Sequence, residues 1–324
     1  MDNCIAEHII KHPEDCSLLF VKNDEQLLSV HEHTHRPLAS IYKLIILLAY
    51  VAQCKKGNIH PNDQIHFNQL KRYWIHWIDP NFLKWYERLK SEKKIKKDCV
   101  ALKEVVKGML EYSCNTNTDY LLATIGVATV NEQLKKYHIT NHNPVIPICT
   151  SVLVSIRDAG MSHTPVSLGT IAQESFEYMI EGKRIEGLDL NLLNDFDYEM
   201  QCRWSDLLPH ASVHTYVDIL KQLQALQKET KDLQDVMSWF GQLKTYKEYT
   251  GGMKLGYTPI VFNAALYMSD ASGNEYQLVY FLNNLTTHQK QAIELASNDF
   301  NLKLLKNPAF VDQLIHQVTH VNIC

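Results

Sequence analysis

Two β-rich apolar runs flank a polar "KNDEQ" in "CSLLFVKNDEQLLSVHEH" (16–33), a pattern that predicts a hairpin. The longest charge-free apolar run, 44–52, follows Ser40 and predicts a helix buried on every side. A turn-rich connector with a short strand comes next (57–67). Then "QLKRYWIHWIDPNFLKWYERLKSEKK" (69–94) reads as helix around Pro80, with Trp74, Trp77, Trp85 and Tyr86 forming large apolar faces. Residues 100–126 read as helix, short break and helix, with the break at "SCN". From about 140 to 209, Pro144, Pro147, Pro165 and Pro209 interrupt the pattern and predict loops and short helices. A helix returns at 211–228, followed by an acid-rich helical segment. The period then changes to two: "YTPIVFNAALYMSD", "ASGN" and "EYQLVYFLNNL" predict strand, tight turn, strand. The amphipathic "THQKQAIELASNDFNLKLLKN" closes the chain as a helix. Strands at both ends around a helical middle imply one sheet completed by the two termini.

Composition narrows the function classes. A chain of 324 residues with 45% hydrophobic residues can bury a substantial core. Its formal charge of −4 gives no footprint for nucleic acid or an anionic membrane. The basic run "KSEKKIKKD" (90–98) reads as a solvated face. Eight scattered cysteines without a CxxC pair read as reduced thiols, which suits a cytoplasm-like compartment. The first sixteen residues lack a signal-peptide apolar core, and 44–52 is too short to span a bilayer. "HEHTH" would set His31, His33 and His35 on one face of a strand. Same-face neighbours there lie about 7 Å apart, too wide to share one ion without a bend. A surface strand is the better reading, and neither metal nor cofactor is expected.

The buried helix begins oddly. Lys43 sits on its first turn, where the helix dipole disfavours a cation and where a capping box would place Glu or Gln. Ser40 and Lys43 are three residues apart and share one helix face. A serine hydroxyl needs an adjacent base to act as a nucleophile. A lysine amine becomes that base when burial destabilises its charged form, and the Ser40 N–H could face a developing oxyanion. The plain alternative is a serine cap with a lysine reaching to solvent. Ser113 and Asn115, two apart in the helix break, could relay a proton and hold a substrate amide; capping of the next helix is the alternative. Thr250, Gly251 and Gly252 precede the final strand pair, where glycines permit close backbone approach, or simply make a turn.

Taken together and in this order, the three groups resemble the SxxK, SDN and KTG motifs of the serine β-lactamase and penicillin-binding protein superfamily. The likeness is to the class A β-lactamase-like branch and covers most of the chain, "LPHASVHTYVDILKQL" (208–221) being similar to the helix after that family's omega loop. It implies an α/β fold of β-lactamase/transpeptidase type, an antiparallel sheet flanked by helices plus an all-helical lobe. The α/β lobe would comprise 1–39 and 210–324, and the helical lobe 40–209 with insertions at about 70–98 and 155–205. The implied activity is a serine acyl-enzyme hydrolase or acyltransferase acting on a small-molecule amide, lactam or ester. Ser40 would attack, Lys43 take its proton, and Ser113 pass a proton to the leaving group. Asn115 and Thr250 would orient substrate, and the N–H groups of Ser40 and Gly252 would form the oxyanion hole.

Three positions depart from the family pattern. Cys114 stands in place of the middle Asp of SDN, which puts support of that loop in doubt. At the KTG position Tyr249, Thr250 and Gly251 are favoured because "TGG" keeps an edge glycine; Lys254 could then reach back to supply the missing charge. The rival alignments are 244–246 ("KTY") and 254–256 ("KLG"). No clean copy of the deacylating glutamate's loop is present, Glu186 in "EGLDLN" being one residue out of register. Two rival readings therefore stand beside the enzyme: a binding module without turnover, and a degenerate scaffold whose aromatic insertion (Trp74, Trp77, Trp85) binds a protein partner.

Overall fold

Asn23 and Asp24 both adopt positive φ, 48° and 66°, as a two-residue hairpin turn of type I′ requires. They join β1 (Cys16–Lys22) to β2 (Glu25–Val30), the predicted hairpin. In the computed structural model, which describes residues 2–158, 161–183, 196–229 and 246–321, the remaining strands are β3 (Arg36–Pro37), β4 (Gln64–His66), β5 (Cys99–Ala101), β6 (His210–Ala211), β7 (Tyr249–Tyr257), β8 (Phe262–Asp270) and β9 (Glu275–Leu282). One antiparallel sheet runs β2-β1-β9-β8-β7, so the first and last strands of the chain meet as β1 and β9. β7 is an edge strand, and it makes the C-terminal part a three-stranded meander rather than a pair.

The chain divides into two compact units: Met1–Ile41 with His210–Leu226 and Phe240–Cys324, and Tyr42–Pro209 with Gln227–Trp239. In the first, α1 (Cys4–Lys11) joins two C-terminal helices in covering one face of the sheet. There Phe20, Leu266 and Leu278 pack with Ile9, Phe300 and Leu314. Strand alternation sends Phe281 to the opposite face, where its ring lies 5.9 Å from Tyr216.

The second unit is built around α2 (Lys43–Lys55), led in by a 3-10 turn, Ala39–Tyr42. Every residue from Lys43 to Gln53 is buried, which explains the unbroken apolar run. The unit also holds α3 (Phe67–Lys71), α4 (Asn81–Ser91), α5 (Leu102–Glu111), α6 (Asn115–Ile125), α7 (Val127–Lys136), α8 (Ile148–Arg157), α9 (Pro165–Ile180) and α10 (Tyr198–Asp206), of which α5, α6 and α7 pack against α2. The chain then continues through α11 (Val213–Glu229) to α12 (Thr287–Lys306) and α13 (Pro308–Val321), the two C-terminal helices of the first unit. No helix among the described residues is long and apolar enough to cross a membrane.

Of the aromatic insertion, Trp85 is core, Trp74 is half-buried and Trp77 is exposed. Trp85 is fully buried, and its indole N–H donates to the Glu104 carbonyl at 3.2 Å. A Cβ on Gly108 would fall 2.8 Å from that indole nitrogen and 2.1 Å from the Asn117 amide, so only glycine lets α5 approach this closely. Trp74 stacks near Phe82 and Trp77 near Phe196, at 5.4 and 5.8 Å between ring centres. A protein-binding role for these rings finds no support in this packing.

Several elements differ from the sequence reading. "HEHTH" is not a strand: β2 stops at Val30, and His31 turns to φ 43°. α9 is a 16-residue helix where loops and short helices were expected; Pro165 starts it instead of interrupting it, with Thr164 and Ser167 closing a capping box. Pro308 likewise opens α13 behind Asn307, whose side chain accepts from the Phe310 N–H. α1 was not expected at all, although Asn3 caps it through the N–H groups of Ile5 and Ala6. The acid-rich segment after α11 lies outside the described residues.

Candidate active site

The approach to Ser40 is pinned at each step. The buried Arg36 guanidinium donates to Ser17 Oγ and to the carbonyls of Glu14 and Cys16 at 2.7–2.8 Å, fastening β3 to the start of β1. Buried Asn263 on β8 donates to the Pro37 carbonyl at 2.8 Å. Ala39 then takes φ 45°, a left-handed backbone that costs a non-glycine residue of order 1–3 kcal/mol. Ser40 follows, half-buried between buried Ala39 and Ile41.

Gly256 of β7 lies against this turn. A Cβ there would sit 2.9 Å from the Leu38 carbonyl oxygen and 3.1 Å from the Ser40 nitrogen. The edge glycine that meets the serine is therefore the one in "KLG" (254–256). Gly251 serves another contact: its Cβ would fall 2.1 Å from the Tyr267 carbonyl on β8, and its φ is 155°. Strand rise puts Gly251 about 16 Å and Gly252 about 13 Å along β7 from Gly256. Tyr249, Thr250, Gly251 and Gly252 are thus at the far end of the strand, paired with Asp270, Ser269, Met268 and Tyr267. The favoured alignment moves five residues, to Lys254, Leu255 and Gly256. Lys254 is 2% exposed and donates to the Leu255 carbonyl at 2.8 Å. Residues 244 and 245 of the third alignment lie outside the described residues.

In the helical unit, Lys43 is fully buried at the first turn of α2. Its Nζ donates to the Ser113 carbonyl (2.8 Å), Ser113 Oγ (3.2 Å) and Asn115 Oδ1 (2.8 Å). Three acceptors match the three N–H bonds of an ammonium. Ser113 presents both its oxygens with its φ at 56°, another left-handed residue that is not glycine. Burial lowers the Lys43 pKa to about 8, opposed chiefly by Asp79 and by Cys114, Asp119 and Cys149. The sequence thus places Ser113, Asn115 and Lys43 together, and the structure gives the contacts.

Two carboxylates at this cluster were missed. Asp119 lies one turn into α6, fully buried, and accepts from the N–H groups of Ile148 and Cys149 at 2.9 and 2.8 Å. Burial raises its pKa to about 6 against those bonds. Asp79, 2% exposed, accepts from the Thr116 N–H at 2.8 Å. The signal for Asp119 was in the sequence, as an acid four residues after Asn115 within a buried helix; nothing local marks Asp79. Glu186 lies outside the described residues. Among the described residues, one group of His12, Glu14 and Asp15 is close enough to share a cation; His31, His33 and His35 do not form such a group.

The Ser40 turn with its edge-strand glycine, and the buried Lys43 tied to Ser113 and Asn115, are the residues on which the sequence resembles the serine–lysine motifs. A family model described as "Beta-lactamase enzyme family" matches residues 2–170, just over half of the sequence. The chain belongs to the beta-lactamase enzyme family. Its fold is similar to that of a class A beta-lactamase from Bacteroides cellulosilyticus (TM-score 0.56, 18% identity, 96% of this chain and 97% of that one). It is also similar to a beta-lactamase from Chitinophaga pinensis (0.54, 14%, 98% and 96%) and to PBP-A (0.55, 14%, 93% and 96%). No curated protein matches the chain.

Proposed function

We propose that this protein is a serine acyl-enzyme hydrolase or acyltransferase on a small amide, lactam or ester, with Ser40 as nucleophile and Lys43 as its base. The observation that carries this is the burial of Lys43 against Ser113 and Asn115, three residues after a half-buried serine. A 3-10 turn eclipses residues i and i+3, so Ser40 and the first residue of α2 share one face. In its neutral form the amine keeps two N–H bonds and a lone pair, which takes the Ser40 proton as Oγ bonds to the carbonyl carbon. The carbonyl π pair moves to oxygen, where the Ser40 N–H stabilises it. The residue after the edge glycine supplies the second donor; with Gly256 in that place it is Tyr257, not Gly252. On collapse, the leaving nitrogen or oxygen takes the Ser113 hydroxyl proton, and the Lys43 ammonium restores it. Asn115 holds the substrate amide, and Lys254 supplies the positive charge that Tyr249 would lack.

Among the described residues, acylation is the better-equipped half of this reaction. Asp119 has both oxygens committed to backbone N–H groups, and Asp79 has one so committed. Both are engaged with backbone N–H groups, and neither is assigned as the base for a hydrolytic water. The fluorophosphonate probe class tests the reading: intact mass should show one adduct, absent from Ser40→Ala with the fold unchanged. An equal adduct on the alanine variant overturns it.

A further inference from the structure

The first turn of α6 has no side-chain cap of its own, because its N-cap is Cys114, where the resembled motif carries aspartate. The Thr116 N–H is one of the orphan donors that a helix start leaves. It is met at 2.8 Å by Asp79 Oδ2, a carboxylate 37 residues away in sequence. The neighbouring Ile78 carbonyl accepts from Asn115 Nδ2 at 3.5 Å. That long bond fixes which way the Asn115 amide faces, leaving Oδ1 towards Lys43 Nζ at 2.8 Å.

Asp79 is itself held from several sides. Its N–H donates to the Ile75 carbonyl at 3.0 Å, and its carbonyl accepts from the Phe82 N–H at 3.3 Å. The Trp74 indole N–H adds a weaker donation to the same carbonyl at 3.4 Å. Trp74 in turn packs on Phe82, and Phe82 on the buried Trp85. The aromatic insertion thus has an outcome beyond core filling: it delivers one buried carboxylate to the α6 N-terminus.

We infer that Asp79 is the positioning residue of the Lys43–Ser113–Asn115 cluster, replacing from outside the motif the support that Cys114 cannot give. Its catalytic consequence rests on the proposed function; its effect on Lys43 does not. Asp79 acts in two ways. Its oxygen sets the α6 first turn and thereby Asn115. Its negative charge opposes the burial that drives the Lys43 proton off, alongside Asp119 on α6 and the Cys114 and Cys149 thiols. Burial raises the Asp79 pKa, while the Thr116 N–H and Lys43 hold it down.

The two roles separate in two variants of the full chain. Asp79→Asn keeps an acceptor for Thr116 and removes the charge; Asp79→Ala removes both. The direct readout is the Lys43 pKa from NMR of protein carrying ¹³Cε-lysine, with the signal assigned by its loss in Lys43→Met. In Asp79→Asn that pKa should move further down, and the acidic limb of Ser40 labelling by a fluorophosphonate should move down in pH with it. In Asp79→Ala the labelling rate on the high-pH plateau should fall by about tenfold to a hundredfold, as when a catalytic group is misplaced by up to an ångström. Asp79→Asn should restore most of that plateau, a rescue that general loosening would not give. An unchanged Lys43 pKa in Asp79→Asn overturns the inference whatever the labelling result. If wild-type Ser40 is not labelled at all, the proposed function fails while the Lys43 titration still decides the role of Asp79.

Discussion

Gly256→Ala, paired with Gly251→Ala, asks which end of β7 serves Ser40. A Cβ added at Gly256 would stand 2.9 Å from the Leu38 carbonyl oxygen and 3.1 Å from the Ser40 nitrogen. Both neighbours are backbone, and neither can rotate away, so the turn carrying Ser40 must shift. Overpacking of this kind costs about 1–3 kcal/mol. A Ser40 N–H moved out of line forfeits one oxyanion donor, a loss of about 10²–10³-fold in rate. Gly251→Ala is the more severe local insult: its Cβ would be 2.1 Å from the Tyr267 carbonyl oxygen at φ 155°. Its damage, however, falls on the β7–β8 ladder about 16 Å from Gly256. The second-order rate constant for fluorophosphonate labelling, measured well below each variant's Tm, separates the two. Gly256→Ala should label far more slowly with a modest fall in Tm, and Gly251→Ala should lose more Tm while its folded fraction labels at the wild-type rate. Wild-type labelling by Gly256→Ala, with a large loss in Gly251→Ala, would return the site to Tyr249–Gly252 and refute the alignment.

Two further outcomes follow from Lys43 and its surroundings. With the Lys43 pKa lowered from 10.5 to about 8, the unfolded chain holds a proton between those values that the folded chain has lost; folded stability therefore rises with pH across that window, by up to about 1.4 kcal/mol per unit. Urea denaturation at pH 8 and 10 should show wild type gaining on Lys43→Met, and parallel curves would mean an ordinary lysine. A penicillin, where it reacts, should leave an acyl-enzyme that persists in time-resolved mass spectrometry, since Asp119 and Asp79 are engaged with backbone N–H groups; rapid multiple turnover with no adduct would show a deacylating base at work.

Local chemistry explains which parts were legible in the sequence. The hairpin at Asn23–Asp24, the helix behind Ser40 and the break at Ser113 each combine a period with a strong punctuating residue, and all three are where the pattern puts them. Pro165 misled because proline punctuates in two senses, ending one helix and opening the next at N1. The "TGG" triplet misled because its glycine is required by backbone contact with Tyr267, a partner in the next strand. Sequence shows that a glycine is needed, and only the fold shows against what. The same limit hid Asp79, whose partner Thr116 is 37 residues on.

The cost held at the candidate groups favours the proposed site over a scaffold. Ala39 and Ser113 hold left-handed backbone without glycine, and Lys43 is an amine buried completely. Each is unfavourable alone, of order 1–3 kcal/mol for a strained residue, and each could be relieved by one substitution: glycine at 39 or 113, methionine at 43. All three lie on the two segments that carry the candidate nucleophile, base and proton relay. Elsewhere in the second unit Trp85 is bonded to Glu104 and Asp119 to two N–H groups, although Lys93, Lys97, Asp98 and His138 also hold left-handed backbone without glycine. A fold that served only as a scaffold would have no use for a desolvated lysine facing a serine. The buried lysine, held by a serine and an asparagine, is the cost that the proposed acyl transfer would use.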